Sequence, residues 1–157
     1  MSYYFRAKIL NEYCYGSQVY GTATKESDYD YLVVVDGEPE VEEEKIAEND
    51  FHYISKTKFL ELLENNDIKA LECVFSPFNH ILKSFKPIFI LDKQKMRKSI
   101  SAICSNSWVK GKKKIIVENE KYTGLKSIFH CIRIMQFANQ IISNQSINYE
   151  SMNWVYR

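Results

Sequence analysis

Glycine, proline and long apolar runs are all scarce in this chain. With 5 Gly and 3 Pro in 157 residues there is no room for a low-complexity linker, and a content of 45% hydrophobic and 14% aromatic residues excludes disorder as the main state. The longest aliphatic run covers only residues 32–35, far short of the ~20 residues a membrane-spanning helix requires. No membrane partner is expected. Cysteine is sparse as well: the four, at positions 14, 73, 104 and 131, lie far apart with no CxxC pair. That spacing argues against a zinc site or a disulfide framework and for reduced thiols in a core. The first ten residues carry Arg6 and Lys8 and show no small-residue cleavage pattern, so they do not read as a signal peptide. The expected location is cytoplasmic.

A net charge of +1 conceals a polar division. Residues 1–78 hold 7 Lys+Arg against 16 Asp+Glu, a balance of −9, whereas residues 79–157 hold 14 against 4, a balance of +10. A carboxylate-rich half beside a cationic half suits a site that brings divalent cations and polyphosphate or nucleic acid together. Charge alone fits equally well with two separately solvated halves, so a motif is needed beside it.

Period and punctuation give the organisation. Residues 3–10 read as a short helix, 11–15 as a short strand ending at Gly16-Ser17, and 18–26 as a turn-rich stretch. Residues 28–35, rich in Tyr, Leu and Val, form the best strand, apolar on both faces beyond its first three residues and therefore central and covered. An acidic run at 40–44 precedes a strand over 46–54. Ser55 is placed to cap a helix with Phe59, Leu60, Leu62 and Leu63, which Asn65-Asn66-Asp67 breaks. A second helix over 68–75 ends before Ser76-Pro77. Met96, Ile100, Ile103 and Cys104 recur at helical spacing ahead of the basic cluster 110–114, and the 3.6-residue period returns over 121–143. The fold class is α/β of the α+β type: a small mixed sheet in 1–78, with a basic helical part in 79–157 packed against it as one compact unit.

The chemistry lies in Gly16-Ser17 and Ser27-Asp28-Tyr29-Asp30. Asp28 and Asp30 stand two apart on a strand, so both carboxylates project to one side and can share cations. Two hard divalent ions of the magnesium type are the natural counter-charge for such a pair at the mouth of an apolar strand. Gly16 lets backbone approach a ligand, and the Ser17 hydroxyl with nearby amides can hold phosphate oxygens.

A Gly-Ser turn followed by Asp-x-Asp on the next strand resembles the nucleotidyltransferase superfamily of DNA polymerase beta. Within it the chain looks most like a group linked to RNA repair, with Gly-Ser-x-x-x-Gly before Ser-Asp-x-Asp. Further points of resemblance are Lys58-Phe59-Leu60, Asn65-Asn66, Leu71-Glu72, Ser76-Pro77, and Lys126, His130 and Arg133; they cover most of the chain from about Tyr13 to Tyr149. Relatives of that group run on beyond this point, which leaves acceptor contacts to a further C-terminal part.

The resemblance implies transfer of a nucleoside monophosphate from a nucleoside triphosphate to an acceptor hydroxyl, an RNA end being favoured, with magnesium or manganese held by Asp28, Asp30 and a third carboxylate. Asp50 is the choice for the third, because Glu48, Asp50 and His52 alternate on one face of the next strand; Glu48 is the alternative. The sequence there lacks a hydrophobic-Asp-hydrophobic signature. Lys126, His130 and Arg133 fall at i, i+4 and i+7 on one helical stripe, a match for a triphosphate, with the Arg133 fork best suited to two phosphate oxygens. A histidine among Phe129, Cys131 and Ile132 fits a core role equally well. Lys93, Lys95, Arg97, Lys98 and the cluster 110–114 offer a surface for RNA, although charge runs are commonly just solvated faces. Two other functions fit the same residues: an inactive nucleotide-sensing relative, and a nucleic-acid docking protein.

Overall fold

The computed structural model describes residues 8–39, 41–77, 79–80 and 83–152. In chain order these form β1 (Lys8–Tyr15), α1 (Ser17–Tyr20), β2 (Tyr29–Asp36), β3 (Glu43–Ile46), β4 (Asn49–Ser55), α2 (Lys56–Glu64), α3 (Ile68–Phe75), β5 (Asn79–His80), α4 (Lys93–Ile116) and α5 (Lys121–Asn144). Short 3-10 turns lie at Lys86–Ile88 and Tyr149–Met152. The sheet runs β3-β4-β2-β1-β5 and is mixed: β2 pairs parallel with β4, and every other pairing is antiparallel. This is the expected α+β architecture. The Val-rich β2 occupies the middle of the order, with Leu32, Val33, Val34 and Val35 all buried.

Two expected elements differ. Of the helix read over 3–10, residues 3–7 lie outside the described residues and 8–10 belong to β1. A register shift between Ile9 and Asn11 interrupts the two-residue alternation that would have marked the strand. The acidic run at 40–44 leads into β3, which forms a hairpin with β4 through a turn whose Ala47 has φ 55°. A strand of Glu and Lys at the rim of a sheet carries no apolar period, because its charges belong to the solvent edge.

The helices follow their punctuation. Ser55 accepts a hydrogen bond from the Lys58 amide at the start of α2, and Asp67 accepts from Lys69 and Ala70 at the start of α3. Helix α4 runs straight through the basic cluster, since Gly111 faces α5 and does not break the helix. A Cβ on Gly111 would sit 2.9 Å from the Gly124 carbonyl oxygen, and one on Gly124 would sit 2.7 Å from that of Gly111, so the α4–α5 hairpin packs backbone to backbone there. One buried cluster joins Tyr13, Leu32, Phe59 and Leu71 from the acidic half with Phe85, Met96, Phe137 and Ile141 from the basic half. All four cysteines are free. Among the described residues no helix is long and apolar enough to cross a membrane.

Candidate active site

The Gly-Ser turn is shaped by backbone that only glycine tolerates well. Gly16 has φ 81° and ψ −157°, a region closed to residues with a Cβ. Its carbonyl accepts from the Val19 and Tyr20 amides, which starts α1 at Ser17. A Cβ built on Gly16 would collide with Oδ2 of Asp30. The turn and the second aspartate of the Ser-Asp-x-Asp motif therefore face each other across a gap that the missing side chain creates.

Ser27 has a shaping task. Its hydroxyl accepts from the Thr24 amide at 2.8 Å, and its carbonyl accepts from the Gln18 side chain at 3.1 Å. The loop carrying Asp28 is thereby tied back to α1. Asp28 precedes the first residue of β2, and Asp30 lies within the strand. In the parallel β2–β4 register Asp30 stands beside Asp50, and Leu32 beside His52. Paired residues in such a register share a face of the sheet, so Asp30, Asp50 and His52 lie on one side.

A lysine sits among these carboxylates. Lys45, opposite Asp50 on β3, places Nζ 2.8 Å from Asp28 Oδ2 and 3.5 Å from Asp50 Oδ1. Asp28 and Asp50 thus already share one cationic group, an ammonium standing where a cation between them would be. Asp30 is different: among the described residues no hydrogen bond or ion pair reaches its carboxylate. Its pKa is pushed above the ordinary carboxylate value, first by burial and then by the negative field of Asp50, against the lowering fields of His52 and Lys69 with Asp28 adding to the rise. A half-buried carboxylate flanked by two others and lacking a partner is a site that favours added positive charge. The donor set, three hard carboxylate oxygens on neighbouring chain segments, suits magnesium or manganese. Among the described residues no group of three His, Cys, Asp or Glu is already gathered as a finished metal cage. Glu48, the alternative third carboxylate, falls on the β3–β4 turn, where its carbonyl accepts from the Tyr29 amide at 3.1 Å.

Beside Asp30 opens a cavity of about 320 Å³, lined by Gly16, Ser17, Thr22, Asp30, Lys126 and His130 among others. It joins the Gly-Ser turn to the stripe on α5. The stripe descends into the protein: Lys126 is exposed, His130 half-buried and Arg133 buried at 4% exposure. Arg133 lies deepest and is fully engaged at both terminal nitrogens. Its NH1 donates to Glu72 Oε1 at 2.6 Å, its NH2 meets His130 Nδ1 at 2.7 Å, and its plane lies 3.8 Å over the Tyr20 ring. Tyr20 donates its hydroxyl to the other Glu72 oxygen at 2.5 Å, and Tyr149 donates to the Glu72 backbone carbonyl at 2.5 Å. His130 is held far below the ordinary imidazole value, at about 4, by burial and by the fields of Arg133 and Lys110. Of the three stripe residues, Lys126 alone offers a free positive charge to the cavity.

Sequence reasoning did not find Lys45 or the structural importance of Glu72. Lys45 sits in a run of acids with no motif of its own, and Glu72 is separated from Arg133 by 61 positions. The basic cluster is also less cationic than its sequence implies: Lys113 pairs with Glu118 at 3.2 Å, and Lys114 with Glu118 at 2.5 Å and Glu120 at 3.0 Å. Lys110 and Lys112 have no ion-pair partner among the described residues.

Compared with known families, residues 5–123 match the family model of a nucleotidyltransferase domain, a span that includes the turn, all three aspartates and the β3–β4 hairpin. No curated protein matches the chain significantly.

Proposed function

The chain belongs to the nucleotidyltransferase domain family, and from that premise we propose that it transfers a nucleoside monophosphate from a nucleoside triphosphate to an acceptor hydroxyl, with an RNA end as the favoured acceptor. The observation that carries the reading is the unpartnered Asp30 carboxylate lying directly under Gly16, in register with Asp50. In the reaction the bond from the α-phosphorus to its bridging oxygen breaks, a bond from phosphorus to the acceptor oxygen forms, and pyrophosphate leaves. Divalent cations of the magnesium or manganese type, held by Asp28, Asp30 and Asp50, would supply Lewis-acid charge at the reacting phosphate.

The chain's own groups do the positioning. Asp50, which stands beside Asp30 in the β2–β4 register, takes the acceptor's proton and passes it to solvent. Gly16 and Ser17 hold terminal phosphate oxygens through backbone and hydroxyl donors, and Lys126 offsets charge on the leaving pyrophosphate. His130 lines the same cavity, and Arg133 supports it from below. On α4, Lys93, Arg97, Lys98, Lys110 and Lys112 are the basic residues suited to an RNA backbone, because none of them has an ion-pair partner among the described residues.

The test is incubation with each labelled triphosphate, magnesium or manganese, and pools of RNA or protein. Label in RNA, absent in the Asp28→Asn/Asp30→Asn double variant, is the expected result. Metal-dependent transfer persisting in that variant would remove the mechanism. A second reading, a nucleotide-sensing relative without turnover, draws on Lys45 already bridging Asp28 and Asp50. Its signature is triphosphate binding with no release of pyrophosphate.

A further inference from the structure

The hydrogen-bond chain beneath the cavity fixes more than the position of α5. A guanidinium is always charged and only donates. Its NH2 lies 2.7 Å from Nδ1 of His130, so that nitrogen must present a lone pair. The single ring proton then belongs to Nε2, and Nε2 is the only polar ring atom left for the cavity that His130 lines.

Arg133 cannot turn away to relax this choice. Its NH1 is held by Glu72 at 2.6 Å, its plane is packed on Tyr20, and Glu72 is itself locked by the Tyr20 hydroxyl. We infer that Glu72 and Arg133 are positioning residues, which hold His130 as a neutral imidazole offering its Nε2–H as a donor to the nucleotide. The inference rests on the nucleotide reading of the cavity.

The charged groups around the ring come from four elements. Arg133 on the same helix and Lys110 on α4 both disfavour a second ring proton. Glu72 on α3 would favour one, but its charge is spent on Arg133. Lys126 on α5 and Asp30 on β2 line the cavity with it. A stripe that reads as three cations thus resolves into one exposed cation, one neutral donor and one buried support. Binding through a neutral donor does not vary across the range in which an ordinary histidine titrates.

The test uses the full chain labelled with nitrogen-15 in histidine, and α,β-methylene ATP with its guanosine, cytidine and uridine counterparts as probes, each with magnesium. The His130 ring signals should show the Nε2–H tautomer and stay unchanged from about pH 5 to pH 8. His130→Gln, which keeps an acceptor for Arg133 and an amide donor for the cavity, should bind the preferred probe within about threefold of wild type, whereas His130→Leu should bind it about tenfold more weakly. Glu72→Gln should release the ring into a mixture of tautomers, a change that a merely structural residue would not cause. An Nδ1–H tautomer, a ring that titrates near neutrality, or ring signals untouched by Glu72→Gln would overturn the positioning role. Wild-type affinity in His130→Leu overturns the donor role alone. A wild-type chain that binds none of the four probes overturns the donor role and the nucleotide reading together, while the ring signals still decide the tautomer.

Discussion

Asp30 and Glu72 are both acids turned inward, and their surroundings are opposite. Glu72 is 5% exposed, and both carboxylate oxygens are used, one by Arg133 and the other by Tyr20. Asp30 is half-buried, has no hydrogen-bonding or ion-pairing partner among the described residues, and is crowded by Asp50 and Asp28. A buried charge that is fully paired holds structure together, whereas one left unpaired beside like charges is held at a disadvantage that a bound cation relieves. The contrast separates the carboxylate that holds the structure beneath the cavity from the one that the proposed function puts to work.

Substitution should split the two most sharply. Asp30→Asn is expected to lower transfer by about a thousandfold or more, since it removes a charge needed at the reacting phosphate. The same change should raise the melting temperature by about 2–4 °C, a modest gain for a domain of this length after solvent screening is allowed for. The sign follows from the direction of the shift: with its folded pKa above the ordinary value, ionised Asp30 opposes folding, fully so at neutral pH and less as pH falls toward the ordinary carboxylate range. Glu72→Ala should do the reverse, destabilising the fold by about 3–5 kcal/mol in urea titration because Arg133 is left buried and unpaired. A stable Glu72→Ala protein, or a destabilised Asp30→Asn protein, would dissolve the distinction.

Gly16→Ala tests the contact between the turn and Asp30. The new methyl meets both a backbone conformation reserved for glycine and the Asp30 carboxylate, so a loss of about 1–3 kcal/mol is expected, with transfer falling further than stability explains. Restoring folding with a stabilising osmolyte should not restore activity. A further effect concerns acid. His130 is held at about 4 against an ordinary 6.5, so the unfolded chain takes up a proton that the folded one refuses. Stability should therefore fall as pH drops from 6.5 toward 4, and His130→Gln should flatten that part of the curve.

Much of this was legible in the residues. The Ser55 cap, the break at Asn65-Asn66-Asp67 and the apolar period of 121–143 located α2, α3 and α5, because local hydrogen bonding and one buried stripe determine a helix; that Asp67 caps α3 came from the structure. The motif around Asp28 and Asp30 was legible as well, but strand alternation fixes the side only for Asp30, since Asp28 lies just before β2. The rest depended on distant partners. Strand β3 hid in an acidic run because an edge strand needs no apolar face. The stripe Lys126, His130, Arg133 was correctly placed on one side of a helix, yet spacing along a helix says nothing of depth. Only Glu72, arriving from α3, makes Arg133 a support and leaves Lys126 as the exposed cation.

The central claim, that Asp28, Asp30 and Asp50 together hold divalent cations for nucleotidyl transfer, is most directly tested by titrating manganese into the chain with α,β-methylene ATP and counting bound ions by electron paramagnetic resonance. Two manganese ions per wild-type chain, and at least one fewer in Asp30→Asn, is the predicted result. The same number of ions bound with equal affinity by both proteins would contradict it.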